Sequence, residues 1–115
     1  MKEMATTEDW DQCLAESDKA PVFLFKHSTR CPISSAAHRV MTDYLEDGRE
    51  NQPPVRMVKV VESRPLSLQI ADRLQVEHKS PQLILIRNQK AVWSTSHYDI
   101  TPDHIRAALA TIGSG

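Results

Sequence analysis

Cys31 and Pro32 stand together, behind the polar turn Ser28-Thr29-Arg30 and ahead of a periodic apolar segment. Proline is favoured at the first position inside a helix, where its missing N–H costs nothing. That spacing places Cys31 at the helix N-cap. There the unsatisfied N–H groups of the first turn and the positive end of the helix dipole favour a thiolate over a thiol, and the thiolate is the attacking species in disulfide exchange. The surrounding charge agrees. Between Lys19 and Thr42 there is no Asp or Glu, whereas Lys26, Arg30 and Arg39 are cationic and His27 and His38 can become so. Two plainer readings stand beside this one: a free cysteine is often a small buried hydrophobe, and part of the acid-free stretch is simply a buried strand.

Ser34, three residues on, falls on the same helix end, so its hydroxyl and N–H are expected near the sulfur. A serine there can hydrogen-bond a thiolate but cannot resolve a disulfide. A mixed disulfide on Cys31 must then be cleared by an external thiol, which makes the step monothiol exchange. Cys13 shares an inward helix face with Trp10 and Leu14 and reads as packing rather than as a resolving partner. His27 and His38 read as packing or hydrogen-bonding residues, not as bases. Ser80-Pro81, just before an apolar strand, is the second candidate element. An X-Pro bond there can be cis, turning backbone groups toward the cysteine, the alternative being a trans proline that merely opens the strand. Trp93, Met41 and Tyr44 sit at periodic positions and read as core.

The elements that must hold these residues follow from periodicity. Thr6 and Asp9 form a capping-box-like start to a short amphipathic helix from about Thr7 to Ser17. The run Pro21 to Lys26 is a strand buried on both faces, and marks the sheet centre. The helix after Cys31 presents Ile33, Ala36, Ala37, Val40, Met41 and Tyr44 as its inward stripe and is closed by Gly48. A loop over Asn51 to Pro54 leads to a second apolar strand, Val55 to Val61. Ser63 to Gln75 is then helical, with Leu66, Ile70, Ala71 and Leu74 inward. Two successive βα units imply parallel strands. The pattern then changes to a hairpin, Gln82 to Arg87 and Lys90 to Thr95 around Asn88-Gln89. Thr101 and Pro102 start a last helix with Ile105, Ala108, Leu109 and Ile112 inward. The order α-βαβα-ββα predicts an α/β domain over residues 1–112: one four-stranded mixed sheet flanked by helices, with residues 113–115 as a flexible tail or expression remnant.

Composition narrows the function classes. A chain of 115 residues can bury one core but not two. Its 14 basic against 15 acidic residues give no general pull toward nucleic acid or an anionic membrane. Gly48 is the only glycine before the terminal Gly113-Ser114-Gly115, so no phosphate-cradling glycine loop can be written. Neither cysteine has a partner at zinc-finger spacing, and no metal site is expected. The first ten residues are polar and the longest apolar runs are far too short to span a bilayer. A cytosolic protein with reduced thiols is the expectation.

With these residues in place the chain resembles the thioredoxin-like fold over nearly its full length, most clearly from Ile70 through the Ser80-Pro81 loop to Lys90. More narrowly, three segments resemble the monothiol bacilliredoxin family: Phe25 to Ser28 followed by Arg30-Cys31-Pro32-Ile33-Ser34; Lys79-Ser80-Pro81-Gln82; and Ser96 to Thr101. The resemblance implies a thiol-disulfide oxidoreductase that removes bacillithiol from S-thiolated client proteins. In that scheme Cys31 is the nucleophile, Pro32 and Ser34 its motif companions, and Ser80 with Pro81 the loop opposite. Bacillithiol is a co-substrate rather than a bound cofactor, and a second bacillithiol or a partner reductase resets the cysteine. Two departures stand out. Arg30 occupies a place where threonine is common, and can tune the thiolate or meet an anionic carrier thiol. His97, Tyr98 and Asp99 replace the thioredoxin glycine ahead of the last helix. Two alternatives from other classes remain: a thioredoxin-fold adaptor without redox turnover, and an iron-sulfur carrier of the monothiol-glutaredoxin type.

Overall fold

A computed structural model describes residues 1–48 and 52–113. In chain order the elements are β1 (Lys2–Glu3), α1 (Thr7–Lys19), β2 (Val22–His27), α2 (Pro32–Glu46), β3 (Val55–Lys59), α3 (Arg64–Leu74), β4 (Gln82–Arg87), β5 (Lys90–Ser96), a 3-10 turn (His97–Asp99) and α4 (Pro102–Gly113). The sheet therefore has five strands, not four, in the order β1-β3-β2-β4-β5. The extra strand carries no sequence signal, because two polar residues show no alternation. It exists through its partners: Lys2 and Glu3 lie parallel to Arg56 and Met57, the Met4 N–H donates to the Met57 carbonyl at 2.7 Å, and buried Met4 anchors the segment in the core. α4 extends through Gly113, so the expected tail begins inside the helix. Ser114 and Gly115 lie outside the described residues, as does Asn51 at the head of the expected loop.

Local chemistry accounts for most of the boundaries. The Thr6 hydroxyl accepts the Asp9 N–H at 3.1 Å and the Asp9 carboxylate accepts the Thr6 N–H in return, which completes the capping box. Gly48 takes φ +54 just past the end of α2, the left-handed position that ends many helices. The Thr101 hydroxyl accepts the His104 N–H and caps α4 as expected. Asn88 and Gln89 both adopt positive φ in the β4–β5 hairpin, as a two-residue turn of this twist requires. Their N–H groups are held by the carbonyl and hydroxyl of buried Ser17.

β2 runs parallel to β3 and antiparallel to β4, and all six of its residues are buried. Successive side chains in a strand point to opposite faces, so β2 feeds two cores. Val22 and Leu24 join Trp10, Cys13 and Leu14 of α1 and Leu66, Ile70 and Leu74 of α3 on one side. Phe23 and Phe25 meet Ala37, Met41 and Tyr44 of α2 and Ile105 and Ala108 of α4 on the other. The inward stripe of α2 is rotated from the expected one: Ser34, Ala37, Met41 and Tyr44 are buried, Ile33 and Val40 are half-buried, and Ala36 faces solvent. Trp93, expected in the core, is half-buried on β5 with its edge toward Phe23.

The same alternation carries two polar residues inside at the end of β2. Lys26 falls on the α3 side and is fully buried. Its ammonium donates to the Ser67 carbonyl at 3.2 Å and to His78 Nδ1 at 3.0 Å. Burial pushes the Lys26 amine down to about 8. Between pH 8 and 10.5 the unfolded chain therefore binds more protons than the folded one, and stability rises with pH. Above pH 9 the buried Cys13 thiol, pushed up to about 11, acts in the opposite direction. The clean window is pH 8 to 9. A thermal melt should rise by several degrees across it, since about 1 kcal/mol moves the midpoint of a domain this size by roughly 4 °C or more. Lys26→Met should remove the rise; an equal rise in the variant would show that Lys26 is not its source.

Candidate functional site

The chain leaves the buried end of β2 through Ser28, Thr29 and Arg30 and enters α2 at Cys31. Cys31 is the N-cap residue, with extended backbone at φ −107 and ψ 124, and Pro32 is the first helical residue. The Cys31 N–H closes the turn onto the Ser28 carbonyl at 3.3 Å, and its carbonyl accepts the Ser35 N–H at 3.0 Å. Cys31 is partly exposed, and no hydrogen bond engages its thiol among the described residues. Cys31 borders a shallow pocket of about 440 Å³, lined also by Thr29 and Arg30 of the turn and by Pro32, Ser35, Ala36 and Arg39 of α2. A larger hollow of about 910 Å³ between α2 and α4 has no cysteine in its lining, so the smaller one is where sulfur chemistry can occur.

Ser34 does something other than expected. It is fully buried, and its hydroxyl turns away from the pocket to the end of β2. The oxygen accepts the Ser28 N–H at 2.9 Å and lies 2.7 Å from His27 Nδ1. The arrangement that satisfies all three groups has the hydroxyl donating to Nδ1 of a neutral imidazole. Burial and the neighbouring His38 ring both lower the pKa of His27 and keep it neutral. Its ring stacks on Phe25 at 5.5 Å and meets His38 at 4.8 Å. The α2 stripe is rotated because Ser34 is on it: a serine whose hydroxyl is bonded on both sides can be buried. His27 packs and hydrogen-bonds as expected, whereas the tie from the Ser28 N–H to Ser34 is the part of the site that sequence reasoning missed. The legible signal was the strand period, which puts His27 on the same side as Phe25 and hence against α2.

The second candidate element is not part of the pocket lining. The Ser80-Pro81 bond is cis. Pro81 is buried and its carbonyl accepts the N–H of His97 at 3.0 Å, which ties the loop before β4 to the 3-10 turn. His97 holds φ +54 there, the conformation for which glycine is the usual residue. The Ser80 hydroxyl is buried without a hydrogen-bond partner among the described residues. The structure therefore brings Arg30, Cys31 and Pro32 together around one cavity, places Ser34 behind them, and sets Ser80 and Pro81 at the head of β4. Cys13 is 1% exposed in the core on the α1/α3 side of the sheet, whereas α2 packs on the other side. Among the described residues no helix is long and apolar enough to cross a membrane.

Comparison with known proteins agrees with this geometry. A thioredoxin-fold protein proposed to be an oxidoreductase superposes with a TM-score of 0.83 at 29% identity, over 94% of this chain and 92% of that one. Fasciola hepatica thioredoxin matches with a TM-score of 0.75 at 14% identity, covering 96% of this chain and 98% of its own. Trxlp from Edwardsiella tarda matches at 0.71 and 21%, covering 95% and 98%. The last two bear on the fold alone. The family described as monothiol bacilliredoxin BrxC matches residues 2–105, from β1 into α4. With a thioredoxin-like sheet and a single solvent-reachable cysteine heading its second helix, the chain belongs to the monothiol bacilliredoxin BrxC family.

Proposed function

We propose that the protein is a monothiol thiol-disulfide oxidoreductase that strips a low-molecular-weight thiol, bacillithiol, from S-thiolated client proteins in a compartment where thiols are held reduced. The observation that carries this reading is the contrast between the two sulfurs. Cys31 opens to solvent at a helix N-terminus, while Cys13 is sealed in the core across the sheet. The N–H groups of Ile33 and Ser34 in the first turn of α2 have no partner within the helix and point toward the N-cap residue, Cys31.

In the first step the Cys31 thiolate attacks the carrier-thiol sulfur of the mixed disulfide. The client sulfur leaves as a thiolate and takes a proton from water, and a new disulfide joins Cys31 to the carrier. In the second step the thiolate of another carrier molecule, or of a partner reductase, attacks that carrier sulfur and releases the Cys31 thiolate. No second cysteine of this chain can reach the adduct, so turnover depends on the external thiol. In this reading Ser34 is a positioning residue: bonded to Ser28 and His27, it fixes the turn that presents Cys31. Pro32 sets the helix start. Arg30 meets the anionic part of the carrier, and Ser80 with Pro81 shapes the face against which the disulfide lies.

Two measurements test the reading. Mild oxidation with bacillithiol followed by intact mass should show one adduct, lost in Cys31→Ser and retained in Cys13→Ser; an internal Cys13–Cys31 bridge would overturn the monothiol scheme. Ser34→Ala leaves the part-buried Ser28 N–H and the buried His27 Nδ1 without their partner, which should cost about 1–3 kcal/mol of stability and slow adduct formation; an unchanged rate would remove Ser34 from the positioning role.

A further inference from the structure

The pocket at Cys31 has a charge pattern that the reaction alone does not need. Arg30 borders it on the turn side and Arg39 on the helix side. Both residues are exposed. Neither joins an ion pair among the described residues, where the pairs formed are Arg56–Glu16, Lys59–Glu3 and Arg106–Asp103. Among the described residues no Asp or Glu lines the cavity. An α-helix rises about 1.5 Å per residue, so Arg39 starts roughly 12 Å along the axis from Cys31. Helical side chains lean back toward the N-terminus, which accounts for Arg39 sharing one cavity lining with Ser35, Ala36 and Cys31. The Ser35–Ala36 surface is open because the α2 stripe turns Ser34 and Ala37 inward and leaves Ala36 outward.

We propose that Arg39, acting with Arg30, is a specificity-determining residue that selects a carboxylate-bearing thiol as the partner of Cys31. This deepens the oxidoreductase reading and rests on it. Guanidinium groups bind carboxylates through paired N–H donors. Two of them on opposite rims of one small cavity suit a ligand whose sulfur enters at Cys31 while its acidic groups lie along the first two turns of α2. The exchange is balanced: the Cys31 thiolate attacks a disulfide R–S–S–R, forms Cys31–S–S–R, and releases R–S⁻. The arginines change only which R is accepted.

The test uses three small symmetric disulfides of similar size: 3,3′-dithiodipropionate, which is anionic, bis(2-hydroxyethyl) disulfide, which is neutral, and cystamine, which is cationic. Rates of adduct formation on Cys31 are divided by the rates of the same reagents with free N-acetylcysteine, which removes their intrinsic reactivity. The parent chain should favour the anionic reagent and disfavour the cationic one, and the preference should shrink as salt rises. Arg39→Gln should slow the anionic reagent about fivefold with the neutral rate unchanged, and the Arg30→Gln, Arg39→Gln pair should abolish the preference. Equal normalised rates for all three reagents, or a preference undiminished in Arg39→Gln, would overturn the inference while leaving Cys31 as the nucleophile. If no reagent modifies Cys31, the oxidoreductase reading falls and this inference falls with it.

Discussion

The hydroxyl of Ser34 is the hinge-pin of this molecule. By accepting the Ser28 N–H and meeting His27 Nδ1, it joins the last residue of the central strand, the first residue of the turn and the first turn of α2 in one buried junction. Apart from the Cys31–Ser28 backbone bond of the turn and the His27–His38 ring contact, the other contacts of α2 with the sheet are apolar and have no preferred direction. With the Ser34 hydroxyl in place, the rotation of the helix is set. Ser34, Ala37, Met41 and Tyr44 face the sheet, and Cys31, Ser35 and Arg39 are left along the outer side. The accessibility of the sulfur is thus a consequence of a hydrogen bond that does not touch it.

The strand that supplies this junction is unusual in ending on two buried polar residues. His27 is tolerable in the core because it is neutral and bonded. Lys26 is a harder case, since an ammonium loses hydration on burial. It is held by the Ser67 carbonyl of α3 and by His78 of the loop before Ser80-Pro81, and its lowered pKa reports the remaining cost. One strand end therefore fastens α2 through His27 and, through Lys26 on the opposite face, α3 and the loop that carries the cis proline.

Much of this architecture was legible beforehand. The capping box at Thr6, the N-cap at Cys31, the stop at Gly48, the Asn88-Gln89 turn and the cap at Thr101 are all local rules written in a few neighbouring residues, and each appears in the structure. What was not legible shares a single cause. β1 is a strand only because β3 offers it an open edge. The rotated stripe of α2 requires knowing that a serine has partners 6 and 7 residues back in the chain. An apolar count prefers Ile33 and Ala36 for the interior because it scores each side chain against water and not against a specific acceptor.

By itself, then, the sequence determined the four helices and the four longer strands, that the central strand is buried on both faces, and that a cysteine heads the second helix. Those follow from periodicity and capping, which act over a few residues. Only the tertiary structure decided that Cys31 is reachable while Cys13 is not, that Ser34 serves the strand rather than the sulfur, and that Arg30 and Arg39 share one cavity. Each of these depends on the angle at which a helix meets a sheet, and that angle is settled by hydrogen bonds and packing between segments that no short window of sequence contains.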